Sequence, residues 1–227
     1  MTYSRLEFND IEYQGEKYIV IGEMHEDEMI GKEVIYNVVK EFEIDNFYAE
    51  VLYRDSKRDW EDLKPESEVY GYYHNPEKFD CIFNLAEEQG MQIHGLESRR
   101  ENRKGDGRHR GKREYVRDWA KYILETSKET NLILSGFGHI TGWDENNLII
   151  QMMERGAKRS NFLSISTLEL ILEEGGKGLE EGIYSFDGLP KELDGKFLGE
   201  ETRFGFMDNL HLADYNFLIK KHLGTGR

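Results

Sequence analysis

The sequence contains one cysteine and three prolines among its 227 residues. With Cys81 alone, an intramolecular disulfide and any zinc site built from several cysteines are excluded. The stretch around it, KFDCIFNLAEE, has helical spacing, which predicts a thiol packed in the core rather than a nucleophile. Because the prolines are scattered and no Pro/Ser-rich linker interrupts the chain, we predict a single domain over residues 1–227.

The chain also lacks a long apolar run and an excess of positive charge. No stretch approaches the roughly 18 apolar residues of a membrane span, and the N-terminal residues lack the apolar core of a signal peptide. We therefore expect no membrane partner and a cytoplasmic location. The net charge of −15 works against non-specific binding to nucleic acid or anionic lipid. Hydrophobic residues make up 38% of the chain, which is enough to fill the core of a folded protein.

Apolar runs alternate with amphipathic ones along most of the chain. The predicted strands are YIVIG, NFYAEVLY, MQIHGLES, NLILSGFGH and NFLSIST, and the predicted helices cover 28–43, 76–90, 113–128 and 146–156. This alternation predicts an α/β fold with a mostly parallel central sheet and helices on both faces. Two further strands are predicted in EGIYSFDGL and HLADYNFLI, and an N-terminal hairpin in LEFNDIEY, a Gln14-Gly15 turn and KYIVIG.

One pattern occurs twice: an apolar strand, a Gly-x-x-His, a helix, and a strand that opens on Asn-Phe. The first copy runs from YIVIGEMH to NFYAEVL and the second from LILSGFGH to NFLSIST. Chance supplies one Gly-x-x-His easily, but two at the same point of such a unit are much rarer. The repeat predicts two related halves, each delivering a histidine, His25 or His139, to the strand ends where open parallel sheets bind ligands.

Polar residues at the ends of the predicted strands are the candidates for chemistry. They are Glu23, His25, Glu50, His94, Glu97 and His139. A charge at the end of an apolar run is costly unless it is paired or bound to a metal. Two imidazoles with two or three carboxylates suit zinc, manganese or cobalt. They equally suit a metal-free site in which a carboxylate orients a histidine as general base. For His94, which shares a face with Leu96, a core role fits as well as a site role.

Four of these stretches, GEMH, GFGH, GLES and REYVRDWAKYI, resemble motifs of the TraB/TIKI/GumN family. This family belongs to the superfamily of erythromycin esterases and haem-binding ChaN proteins. The resemblance covers about residues 18–168, and the matching positions are Gly22, Glu23, His25, Glu50, Glu97, Arg117, Gly136, Gly138 and His139. In one departure, an arginine-rich run replaces the glutamine that usually follows the family's Gly-Leu-Glu-Thr.

The resemblance implies a hydrolase, either a metal-dependent peptidase or an esterase-like enzyme acting on a small molecule or a peptide. In that interpretation His25, Glu50 and His139 hold a divalent manganese, cobalt or zinc ion or a polarised water. Glu23 or Glu97 is then the general base, and Arg117 steadies the oxyanion. One alternative is a haem or small-ligand carrier that uses YGYYHNPEKF. Another is an inactive relative that sequesters a peptide or a protein partner.

The run from Arg99 to Arg113 carries eight Lys/Arg residues against two acids in an otherwise acidic chain. It predicts either a solvated loop or a lid over the site that binds an anionic substrate through phosphate or carboxylate groups. No aromatic residues are interleaved with these charges, which disfavours single-stranded nucleic acid as the partner.

Overall fold

A computed structural model of the chain describes residues 8–23, 32–54, 80–97, 112–136, 138–141, 147–170, 182–185 and 213–220. The strands are β1 Tyr18–Glu23, β2 Asn46–Tyr53, β3 Gln92–Glu97, β4 Asn131–Gly136, β5 Phe162–Leu170, β6 Gly182–Ser185 and β7 Tyr215–Lys220. The helices are α1 Lys32–Glu41, α2 Asp80–Glu88, α3 Lys112–Thr126, α4 Gly138–Thr141 and α5 Leu148–Met153, with 3₁₀ turns at Phe8–Asp10 and Arg159–Asn161. None of the helices in these ranges is long and apolar enough to cross a membrane.

The strands form one seven-stranded sheet in the order β3-β2-β4-β1-β5-β7-β6. All neighbouring pairs are parallel except β6 and β7, which pair antiparallel at one edge. Strands of a parallel sheet are buried on both faces, and β4 is buried at every position. The predicted α/β fold with a mostly parallel sheet is confirmed.

Helices cover both faces of the sheet, and alternate strand residues point to one face or the other. The face under α1 and α2, here called the α1 face, contains Ile19, Ile21, Phe47, Ala49, Leu132, Leu134, Leu163 and Ile165, packed on Val34, Val38, Ile82 and Phe83. The opposite face, here called the α3 face, contains Tyr18, Val20, Tyr48, Ile133 and Phe162, packed on Trp119, Ile123, Ile140, Leu148 and Met152 of α3, α4 and α5. Burying each of the larger side chains contributes about 1.5–3 kcal/mol, so these two layers supply much of the favourable free energy of folding.

The two predicted halves can be traced in the sheet. The first half begins with β1 and the second with β4, and these two strands are neighbours at the centre of the sheet. From β1 the chain crosses the α1 face to β2. From β4 it crosses the α3 face to β5. A two-fold axis parallel to the strands, between β1 and β4, exchanges these two paths. Gly22 pairs with Ser135, so its counterpart in the repeat, Gly136, lies one position further on. An offset of one residue turns equivalent side chains to opposite faces, as the two-fold axis requires.

The hairpin predicted near the N-terminus is wrong. Phe8–Asp10 forms a 3₁₀ turn and residues 11–17 form no strand, although Gly15 has a positive φ of 87°. The reason lies in β1, which already pairs with β4 on one side and β5 on the other and has no edge left for a hairpin partner. Phe8 and Ile11 pack against the core of the α1 face instead.

The prediction of a core thiol is also wrong. Cys81 lies on a helix, as the spacing indicated, but it is exposed. The buried stripe of α2 is formed by its neighbours Ile82, Phe83 and Ala86, which leave Cys81 on the solvent side.

Candidate active site

Glu50, in the carboxyl-terminal half of β2, is a buried carboxylate. Its Oε2 accepts a hydrogen bond of 2.6 Å from the backbone N–H of Gly136, the last residue of β4. The register between β2 and β3 shifts between Ala49 and Tyr53, immediately after the strand has paired regularly. Irregularities of this kind often lie beside active sites, where they re-aim a side chain. Because Glu50 is buried, its negative charge has to be stabilised by specific protein partners rather than by water.

His139 is a second partner of this carboxylate. It is carried by α4, just beyond β4, and its Nε2 lies 3.5 Å from Oε1 of Glu50. The imidazole meets the indole of Trp119 edge-on at 5.1 Å and the ring of Tyr115 at 5.5 Å between ring centroids. The Tyr115 hydroxyl is also 3.5 Å from Nε2. The two predicted residues, one from each half of the repeat, thus meet at the carboxyl edge of the sheet beneath α3.

A row of buried residues lies beside this pair on the α3 face. Gly22 pairs in register with Ser135 on β4 and with Ser166 on β5, and both serines are buried. The Glu50 carboxylate lies on the same face, where it meets His139 next to Trp119. Glu50, Ser135, Gly22 and Ser166 are called the polar row below. Gly22 contributes no side chain to the middle of this row.

For the other predicted site residues, the structure describes only the backbone, an exposed side chain, or nothing. Glu23 and Glu97 are the last residues of β1 and β3, so their backbones reach the same edge, while their side chains lie outside the described part of the structure. Arg117 is exposed on α3 and makes no hydrogen bond or ion pair with the residues that the structure describes. Predictions that fall outside the described residues concern His25, the tyrosine-rich residues 70–79 and residues 99–111 of the basic run.

His94 belongs to a structural network lower on the α3 face. Its Nε2 lies 3.3 Å from Oδ1 of Asn46 and its Nδ1 lies 3.1 Å from the Tyr122 hydroxyl. Because Oδ1 only accepts, Nε2 donates and Nδ1 accepts from Tyr122, which suits the neutral ring. Burial lowers the pKa of His94, and the positive charge of Lys128 lowers it further. The ring stacks on Tyr48 with centroids 4.7 Å apart, so the structure gives His94 the core role.

Replacing His94 with glutamine should change how stability depends on pH. The pKa of His94 is lowered in the folded state, so the unfolded chain binds the proton first as pH falls. The stability contributed by His94 is complete above its unfolded pKa of about 6.5 and is lost as pH falls below that value. Urea unfolding at several pH values should therefore show the advantage of the wild type over His94→Gln shrinking from pH 7.5 to 5. A difference that stays constant over this range would contradict the prediction.

Sequence reasoning missed Tyr115, Trp119 and Ser135. The first two are four residues apart in REYVRDW, the spacing that places two aromatic rings on one helix face. The resemblance drew attention to Arg117 between them, which is on the exposed side of the same helix. Ser135 is a small residue in an apolar run, and no signal in the sequence marks it.

The Glu50–His139 pair has donor atoms that fit a divalent metal. The 3.5 Å between Oε1 and Nε2 is close to the separation of two ligands that each lie about 2.1 Å from one tetrahedral ion. The same distance fits a direct ion pair between the two groups. Within the described ranges no group of three or more His, Cys, Asp and Glu residues could hold a metal. A third protein ligand would have to be a side chain that the structure does not describe, as predicted for His25.

Comparisons with known proteins concern the fold only. No family model matches the chain, and no curated protein matches it. Among solved structures, the type III effector HopBA1 is similar with a TM-score of 0.50 and 12% identity, covering 91% of this chain and 88% of that chain. RRSP, a MARTX toxin effector domain from Vibrio vulnificus, has a TM-score of 0.39 and 17% identity, covering 56% of this chain and 29% of that chain. The likeness to HopBA1 agrees with the α/β fold described above.

Proposed function

We propose that this protein is a hydrolase that cleaves peptide, ester or similar acyl bonds at the site where Glu50 and His139 meet. The observation that carries the proposal is the buried contact of 3.5 Å between Oε1 of Glu50 and Nε2 of His139. A histidine general base needs a second group that orients the ring and stabilises its protonated form. Glu50 has that capacity because Gly136 holds its other oxygen in place.

In this mechanism Nε2 of His139 faces Glu50, so Nδ1, the other ring nitrogen, takes a proton from the attacking water and later gives it to the leaving group. Glu50 stabilises the imidazolium that exists between these two steps. Both side chains are largely withdrawn from solvent, so their mutual attraction is stronger than it would be in water. Tyr115, whose hydroxyl is near Nε2, and Trp119, whose ring meets the imidazole edge-on, limit the orientations that the His139 ring can take.

The motif resemblance to the TraB/TIKI/GumN family supports the same proposal. It would add Glu23 and Glu97, which end β1 and β3, and His25, which follows β1 in the sequence. In a metal-dependent form, Glu50, His139 and His25 would hold the ion, and the ion when bound would supply a more acidic water.

Purified protein should hydrolyse at least one probe in a panel of p-nitrophenyl esters and fluorogenic peptides, and His139→Ala should abolish this turnover. His94→Gln is the matched control, because His94 lies on the same face but outside the pair. Each assay is run in EDTA and with manganese, cobalt or zinc, and metal content is measured by elemental analysis. A general base is worth roughly a hundredfold to ten-thousandfold in rate, and losing a metal ligand costs at least as much.

The arms of this experiment separate the two forms of the mechanism. Turnover that EDTA abolishes, with one ion per chain that His139→Ala removes, indicates the metal-dependent form. Turnover that EDTA leaves unchanged indicates acid–base chemistry by the residues alone. If no probe is hydrolysed in any arm, or if His139→Ala keeps full activity, the proposed function is wrong.

A further inference from the structure

Ser135 has an unusual environment for a hydroxyl group. Its residue is 1% exposed, and its Oγ is buried without a hydrogen-bond partner among the residues that the structure describes. Buried polar side chains nearly always have a partner, and an unpaired buried hydroxyl lowers stability. Such an atom is expected where a folded protein keeps a place for a water or for a polar group of a ligand.

The position of Ser135 indicates that a water or ligand group bound to its hydroxyl also reaches the Glu50 carboxylate. Ser135 lies in the polar row between Glu50 on β2 and Gly22 on β1. The residue after it, Gly136, donates its N–H to Oε2 of Glu50, so the carboxylate extends over the end of β4. One carboxylate oxygen is thus held at the peptide bond that follows Ser135, and one water with two hydrogen bonds of about 2.8 Å can bridge groups placed in this way.

We propose that Ser135 is a positioning residue, whose hydroxyl and the Glu50 carboxylate together hold one ordered water at the polar row. This inference deepens the proposed function. Only the role of this water as the nucleophile rests on that function; the binding of the water does not. In hydrolysis its oxygen forms the bond to the acyl carbon and its proton passes to His139. The bond to the leaving group then breaks, and the leaving group receives that proton, so that water and substrate become an acid and an alcohol or amine.

Ser164 is the matched control for Ser135. It is also a buried serine on the α3 face, but its Oγ donates to Oδ2 of Asp214 at 2.8 Å and accepts from the Asp214 N–H at 3.0 Å. Ser164→Ala breaks bonds to a charged group and should lower the midpoint of urea unfolding. Ser135→Ala breaks no hydrogen bond within the described part of the protein, so its midpoint should stay unchanged or rise.

Crystal structures of the wild type and of Ser135→Ala, at a resolution that shows ordered waters, test the site directly. We expect a water within hydrogen-bond distance of both Ser135 Oγ and the Glu50 carboxylate in the wild type, and its loss or displacement in the variant. With the best ester or peptide probe of the panel, kcat should fall roughly tenfold to a hundredfold while KM is unchanged.

Several results would overturn the inference. They are a Ser135 hydroxyl bonded to a protein group, a dry site in the wild type, a Ser135→Ala variant that unfolds as readily as Ser164→Ala, or an unchanged kcat. A wild type that hydrolyses no probe overturns the proposed function and the role of the water as nucleophile. The crystal structures decide separately whether Ser135 and Glu50 hold a water, so the two failures can be told apart.

Discussion

Glu50→Gln is expected to lower kcat on the order of a thousandfold while leaving the fold intact, as for other carboxylates that orient a catalytic histidine. Glutamine has nearly the same volume as glutamate, and its carbonyl oxygen can still accept the hydrogen bond from Gly136. It carries no charge, so it cannot stabilise an imidazolium at His139 or contribute a negative ligand to a metal. Steady-state kinetics on the best probe of the panel measures the effect.

Glu50→Ala separates the catalytic part of this effect from the structural part. Alanine removes the acceptor as well as the charge and leaves the N–H of Gly136, a buried residue, without its partner, which costs about 1–3 kcal/mol of unfolding free energy. We therefore expect Glu50→Gln to unfold near the wild-type urea midpoint and Glu50→Ala clearly below it, with both inactive. A Glu50→Gln variant that retains more than about a tenth of the activity would show that the charge is not needed.

Trp119→Ala should destabilise the protein by about 3–5 kcal/mol, the usual cost of removing a buried aromatic side chain. Trp119 is 1% exposed and is among the largest fully buried side chains in the described part of the structure. Its ring meets Tyr115 at 4.9 Å and His139 at 5.1 Å between centroids. The cavity left by its removal would allow the imidazole to turn away from Glu50, so activity should fall together with stability.

Two further variants make this prediction specific. Tyr36→Ala removes an aromatic side chain that is 41% exposed on α1 and should change the unfolding free energy by less than about 0.5 kcal/mol. Trp119→Phe keeps an aromatic ring in contact with the imidazole and should retain more stability and more activity than Trp119→Ala. If Trp119→Ala unfolded at the wild-type urea midpoint, α3 would not hold His139 in the way described here.

Patterns within one segment predicted most of the fold. The period of two in the strands, the period near four in the helices and the repeated Gly-x-x-His motif are local signals, and apart from the N-terminal strand of the hairpin the elements that they predict are present in the described residues. Strand order depends on partners far away in the chain, and this is why the N-terminal hairpin was wrongly predicted. Nothing in KYIVIG shows that β4 and β5 would occupy both edges of β1.

The meeting of Glu50 and His139 at the candidate site was predictable because both side chains can carry a charge. Glu50 and His139 stood out because a charge at the end of an apolar strand needs a partner, and the structure supplies one for each. Ser135 could not be found in this way, because it is uncharged. It becomes a candidate only through its burial and its position beside Glu50 in the polar row. For His94 the sequence indicated the face of the strand but not how far the side chain lies from the carboxyl edge of the sheet. This distance keeps His94 away from Glu50 and His139 and places it against Asn46 and Tyr122.

The central place of β1 in the sheet has a consequence for how the protein is made on the ribosome. Among the described strands β1 is synthesised first, yet its two neighbours begin at Asn131 and Phe162, more than a hundred residues later. At roughly 5–20 residues per second, the apolar segment from Ile19 to Ile21 has to wait for both partners while translation continues. A sheet that depends on such distant pairing is slow to form, and its waiting strand is open to wrong pairing with other chains. This nascent chain is therefore expected to need chaperone protection until β5 has left the ribosome.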